Sequence, residues 1–135
     1  MTAVKSLSLV LAVAAASTLV SCKCPRGGDT AARLDGRSYK ITLVSPTGEQ
    51  MADDIFFRNG RFESSVCTSA GFTVVPYHVN TVENGFTFSV NCDSPTMGHN
   101  EWQGMVRGDQ IDGTVVRTPK TGAPIASTFS GKLVP

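Results

Sequence analysis

The sequence predicts an all-β fold: an antiparallel up-and-down meander of about eight strands, closed into a small barrel, after an N-terminal signal helix. Three observations carry this expectation. Turn signals recur about every twelve residues, at Thr47-Gly48, Asn59-Gly60, Ala70-Gly71, Asn84-Gly85, Met97-Gly98, Gly108-Asp109 and Thr121-Gly122. The stretches between them are short and rich in Val, Ile, Phe and Thr. Apolar residues alternate along them, and none sustains a helical period.

The chain begins differently. Lys5 is the only charge before Lys23, and the run from Ser6 to Ser21 is uncharged and rich in Leu, Val and Ala. A basic start followed by a short apolar run has the size of a signal peptide, which assigns residues 1–21 to export. The run is shorter than the roughly 18–20 apolar residues that span a bilayer, which argues against a permanent membrane helix. Directly after it stand Leu19-Val20-Ser21-Cys22. These four residues resemble the lipobox of bacterial lipoproteins: Leu, a small or aliphatic residue, a small residue, then Cys. The resemblance covers the signal alone. It implies lipidation of Cys22 through a thioether-linked diacylglycerol, joined in many Gram-negative bacteria by an acyl group such as palmitate on the amine. Two or three acyl chains hold a protein on a membrane stably, whereas one binds marginally. Lys23 stands where enteric lipoproteins retained at the inner membrane carry Asp. The implied location is the cell envelope, at the outer membrane facing the periplasm if the organism is Gram-negative.

Residues 22–34 read as a lipidated tether, because Lys23-Cys24-Pro25-Arg26-Gly27-Gly28-Asp29 mixes Pro, Gly and charge without an apolar period. Residues 35–135 form the expected barrel domain. Of the 12 basic residues Lys5 leaves with the signal, so the remainder balances the 11 acidic ones. There is no basic footprint for nucleic acid.

Eight strands are expected at roughly 37–45, 51–58, 61–67, 72–82, 86–92, 99–107, 110–118 and 124–134, with ends good to about two to four residues. Three turns set register. Asn59-Gly60 and Asn84-Gly85 suit two-residue type I′ hairpins, and Gly108-Asp109 suits type II′. In the first hairpin Phe57 then faces Phe62 and Ile55 faces Ser64, with Phe56 against Glu63 and Arg58 against Arg61 behind them. In the second, Phe86, Phe88, Val90 and Cys92 share a face with Val79 and Tyr77. In the third, Val106 faces Ile111 and Trp102 faces Val115, while Met105, Arg107, Gln110 and Asp112 point away. One apolar and one mostly polar face results each time, and a one-residue slip would invert every pattern. Tyr39, Ile41 and Leu43 in the first strand and Ile125, Phe129 and Leu133 in the last continue the apolar face. Apolar alternation at both ends of the meander favours closure, which also removes the exposed edges.

Cys67 and Cys92 fall at the same end of this meander, and a disulfide between them is expected. It would close a loop worth roughly 3 kcal/mol of chain entropy. Cys24 is left over in the tether.

Candidate sites are sparse. His78 and His99 stand too far from each other and from the cysteines for the close ligand pairs of a zinc site, so no metal is expected. No nucleophile motif occurs. The acid pairs Asp53-Asp54 and Asp109/Asp112 are placed at strand ends or turns, as solvated groups. No cofactor and no enzymatic activity are expected. The most distinctive segment runs from Trp102 to Thr114. Gly104 and Gly113 oppose each other on the apolar face, so two side chains are missing there. The notch either admits a ring such as Trp102 or Phe129, or opens a ligand cavity lined by Phe57, Phe88, Trp102, Gly104 and Gly113. The loop between Cys92 and Trp102, which mixes Asp93, His99 and Glu101 with Met97, reads as a binding loop or a solvated connector.

The strand count and order are similar to the calycin-like group, which includes lipocalins and avidins. The lipocalin G-x-W is absent, with Tyr39 where the Trp would stand. The resemblance implies a ligand in the barrel mouth. Small exported barrels of this type also act as inhibitors of lysozyme or proteases. Two functions are therefore expected: a lipid-anchored, non-catalytic binding module for a small or apolar ligand, or a barrel whose end loops engage an envelope protein. Fold likeness alone does not choose between them.

Overall fold

The structure is a computed structural model describing residues 33–135. The expected signal peptide, Cys22 and Cys24 lie outside the described residues. The described chain forms β1 (Ser38–Val44), β2 (Gln50–Arg58), β3 (Arg61–Ser64), a short helix α1 (Ser65–Ser69), β4 (Val75–Pro76), β5 (His78–Val82), β6 (Gly85–Ser94), β7 (Gly98–Arg107), β8 (Gln110–Thr118) and β9 (Ile125–Leu133). All nine strands belong to one antiparallel sheet, in the order β4-β3-β2-β1-β9-β8-β7-β6-β5. The strands at the two ends of that order, β4 and β5, are consecutive in the chain, so the sheet curls into a nearly closed barrel. First and last strands meet as expected, from Tyr39 opposite Leu133 to Val44 opposite Thr128.

The ninth strand arises where the expected strand 72–82 breaks at Tyr77. Pro76 has no N–H to give a ladder. Val75 and Pro76 pair with Phe62 and Arg61, and from His78 onward the chain pairs with β6. This one segment thus joins both margins of the sheet. The expected strand 61–67 also stops early, at Ser64. The Ser64 hydroxyl accepts the Cys67 N–H at 3.1 Å, an N-cap that turns the next five residues into α1.

The hairpin registers follow the turn chemistry in two of three cases. Asn59 and Gly60 have φ of 53° and 71°, and Phe57 faces Phe62 with Ile55 facing Ser64. Gly108 has φ of 57°, and Trp102 faces Val115 with Gly104 facing Gly113. The middle hairpin turns instead on Glu83-Asn84, with Val82 opposite Gly85. Asn84 alone takes a positive φ, of 64°. Gly85 belongs to β6, where a Cβ would collide with the Val106 carbonyl oxygen. The shift of two residues preserves the faces: Val79 sits opposite Phe88, and Phe88, Val90 and Cys92 are buried.

The barrel has two unlike ends. At the end where β1 begins, the chain plugs the opening. Leu34 is fully buried, so the barrel starts one residue inside the expected tether. The Asp35 carboxylate accepts the Gly60 N–H at 3.0 and 2.9 Å and the Tyr77 hydroxyl at 2.7 Å. Gly36 N–H reaches the Phe57 carbonyl at 2.7 Å. Above the plug, Phe57 packs edge-on against Tyr39, Tyr77 and Phe88, with ring centres 6.1, 5.0 and 5.1 Å away. Phe62 joins Phe57 to Trp102, which packs against Phe129 at 5.3 Å. Among the described residues no helix is long and apolar enough to cross a membrane.

Candidate functional site

The other end of the barrel is open. A cavity of about 650 Å³ lies there, within the range that holds drug-sized molecules. Its walls are mostly apolar: Leu43, Met51, Val66, Trp102, Val115 and Ile125 line it. Strand alternation builds this wall, since Val115 follows Ile111 and Gly113 on the inward face of β8 and Arg117 continues that face toward the rim. Met51 and Ile125 are exposed at the rim, and Met97, in the turn between β6 and β7 at this same end, is exposed too.

Polar groups gather at the floor. Asp53 is buried in β2, on the face it shares with Ile55 and Phe57. This corrects the expectation of a solvated acid at a strand end. Its Oδ2 accepts from the Ser64 hydroxyl at 2.5 Å, and its Oδ1 accepts from Val66 N–H at 3.0 Å. Burial raises its pKa above the ordinary value of 3.8, against the pull of those two bonds. Its neighbour Asp54 faces outward and pairs with Lys40 at 3.1 Å.

Asn100 is the floor's second polar residue, 2% exposed, two positions before Trp102 on the same face of β7. Its Nδ2 donates to Cys67 Sγ at 3.3 Å, and its backbone carbonyl accepts from Cys92 Sγ at 3.8 Å. Cys67 and Cys92 therefore do lie at one end of the barrel, on either side of Asn100, but as free, buried thiols. The expected disulfide is not formed. The helical turn puts Cys67 in α1 rather than in a strand, and the Asn100 side chain bonds its sulfur. Burial raises both thiol pKa values, that of Cys92 to about 12, with the neighbouring Cys67 adding to the effect. Thiols so held are poor nucleophiles.

Two of the cavity-lining residues each carry a buried side-chain atom with no hydrogen-bond partner among the described residues: Asn100 Oδ1 and Trp102 Nε1. Tyr39 Oη shares that condition but does not line the cavity. Most buried polar atoms in proteins are paired, so such atoms call for a specific explanation.

The expected ligand site is only partly assembled. Trp102 lines the cavity, whereas Phe57 and Phe88 do not: both rings are buried in the filled half of the barrel. The Gly104/Gly113 notch is occupied by rings. A Cβ on Gly104 would come within 2.4 Å of Phe88, and one on Gly113 within 2.7 Å of Phe129. Missing side chains there admit aromatic bulk and do not open an internal cavity. Outside the wall, a shallower depression of about 410 Å³ runs over the same glycines between Asn80, Gln103 and Thr114. His99 pairs with Asp93 at 2.7 Å on the surface, and His78 is exposed. Among the described residues no three His, Cys, Asp or Glu side chains are grouped to hold a metal ion.

Asn100 is not among the sequence candidates, and Asp53 enters there only as a solvated acid. Both carry the signal that located Trp102, since each falls in phase with buried neighbours on its strand. No protein-family model, no curated protein and no solved structure matches the chain.

Proposed function

We propose that this protein is a non-catalytic binding module whose open barrel end holds a small, largely apolar ligand. The observation that carries the reading is the 650 Å³ mouth cavity, apolar in its walls and polar at its floor. The neutral, buried Cys67 thiol and the hydrogen bonds that hold Asp53 to Ser64 and Val66 support binding over chemistry at that floor. The protein is held at the cell envelope by lipid on Cys22, as the Leu19-Val20-Ser21-Cys22 resemblance implies. The described residues enter the barrel at its plugged end, opposite the mouth.

A neutral fluorescent apolar probe, N-phenyl-1-naphthylamine, tests the binding reading. Wild type should enhance its emission with saturation. Ser127→Phe, which builds a ring into the lining of the mouth, should abolish the enhancement while the domain stays folded. Equal enhancement by both proteins would put the probe elsewhere and end this reading. For the anchor, Cys22→Ala should lose incorporation of radioactive palmitate and remain as precursor; equal labelling would remove Cys22 as the lipid site.

A second reading is favoured by one observation. Met51, Met97 and Ile125, exposed large apolar residues, all belong to the open end. An envelope protein engaged by that rim would cover them. Met97→Ser, at the one of the three positions outside the cavity lining, should then weaken capture of the partner while leaving probe binding intact.

A further inference from the structure

Among the described residues that line the mouth cavity, Arg117 is the one cation. It follows Ile111, Gly113 and Val115 on the inward face of β8 and is half-buried. Its guanidinium lies 5.9 Å over the buried Phe72 ring, a contact that holds the cation without neutralising it. Its charge is felt at the floor: burial raises the Cys67 pKa, and Arg117 acts against that rise. No carboxylate among the described residues pairs with it. The two acids of the same lining are engaged elsewhere or exposed. Asp53 accepts from the Ser64 hydroxyl and Val66 N–H, and Glu49 is exposed in the turn before β2. The cavity therefore offers an apolar wall and one cation without a counter-ion.

We propose that the cavity takes a single-chain alkyl carboxylate, whose headgroup pairs with Arg117 and whose chain lies against Leu43, Val66, Trp102, Val115 and Ile125. This deepens the binding reading above by naming the ligand class, and it rests on that reading. A guanidinium presents a planar fork that matches a carboxylate, and it is more weakly hydrated than an ammonium, so it gives up less on leaving water. Beside an apolar wall the pair is also stronger than in open solvent. The acids of the lining limit the charge a ligand can carry. One negative charge is balanced by Arg117, whereas a second would meet Asp53 and Glu49 with nothing left to offset it. A neutral chain gains only the wall, and a cationic chain is repelled by Arg117.

Displacement of bound N-phenyl-1-naphthylamine by octanoate, octan-1-ol, octylammonium and octyl phosphate at neutral pH separates these chemistries at constant chain length. Octyl phosphate carries most of a second negative charge there. Octanoate should displace the probe at a concentration at least about tenfold lower than any of the other three, because it alone forms the charge-assisted pair without added repulsion. Arg117→Gln keeps a polar side chain and removes the charge. It should weaken octanoate by about tenfold and leave octan-1-ol unchanged. The wild-type series decides the question even if that variant folds poorly. Equal displacement by octanoate and octan-1-ol would overturn the carboxylate while leaving the apolar cavity as the binding site. Tightest binding by octyl phosphate would overturn the single charge, and tightest binding by octylammonium would move recognition to Asp53 and Glu49. An octanoate preference that survives Arg117→Gln would remove Arg117 as its partner. A wild type that does not bind the probe and takes up none of the four would end both the carboxylate and the reading on which it rests.

Discussion

The two ends of the barrel are built from the same strands and have opposite character. At the plugged end, Leu34 and Asp35 fold over the opening, and Asp35 takes the Gly60 amide and the Tyr77 hydroxyl. The rings of Tyr39, Phe57, Phe62 and Phe88 fill the space behind it. At the open end, apolar wall is left facing a cavity. Small barrels have just enough interior to be filled by side chains or to hold one ligand. This chain does the first in one half and leaves room for the second in the other. The contrast teaches that stability and binding are divided along the barrel axis, with Trp102 at the boundary: it packs on Phe62 and Phe129 and also lines the cavity.

The largest effect expected from this division lies at the filled end. Phe57→Ala removes a ring that touches Tyr39, Phe62, Tyr77 and Phe88 and should cost about 3–5 kcal/mol in urea unfolding. Met51→Ala, at the open rim, should change stability by under about 1 kcal/mol. Comparable losses at the two positions would erase the distinction between the ends.

Gly113→Ala probes the boundary. Its added Cβ would come within 2.1 Å of the Gln103 carbonyl oxygen and 2.6 Å of Gly104 Cα, contacts made with backbone that cannot rotate away. Overpacking of this kind costs about 1–3 kcal/mol. A neutral outcome in thermal unfolding would mean that the notch has slack and could still open a cavity.

The smallest effect concerns Asp53 at the open floor. Its folded pKa is raised from 3.8, chiefly by burial, so the folded state holds the proton more tightly than the unfolded state does. The stability this contributes is complete below pH 3.8 and fades as pH rises through the folded value. Relative to Asp53→Asn, wild type should therefore lose stability across that rise. A relative gain over the same range would show that the bonds from Ser64 and Val66 outweigh desolvation.

Much of the wall was legible in the sequence because its determinants are local. Asn59-Gly60 and Gly108-Asp109 fix their own hairpins, and alternation carries the register outward from them to Ile55 and Trp102. The failures share a cause: each depends on residues distant in the chain. The Gly104/Gly113 notch is filled by Phe88 and Phe129, brought in by β6 and β9. Asp53 is buried because Ser64 and Val66, from the next strand and helix, supply its partners. The thiols stay unlinked where α1 carries Cys67 out of the strand and Asn100 bonds its sulfur. Which end is open was equally illegible. It rests on Leu34, a single apolar residue at the close of a segment that otherwise reads as tether.

Methyl-resolved NMR during a titration with N-phenyl-1-naphthylamine tests the division of the barrel most directly, because both ends carry reporters. Leu43, Met51, Val115 and Ile125 line the mouth, while Leu34 and Leu133 lie toward the plugged end with Val106 and Ile111 in the core beside it. The account predicts saturable shifts at the first group and unchanged resonances at the second. Shifts concentrated at Leu34, Val106, Ile111 and Leu133, or none at either end, would contradict it.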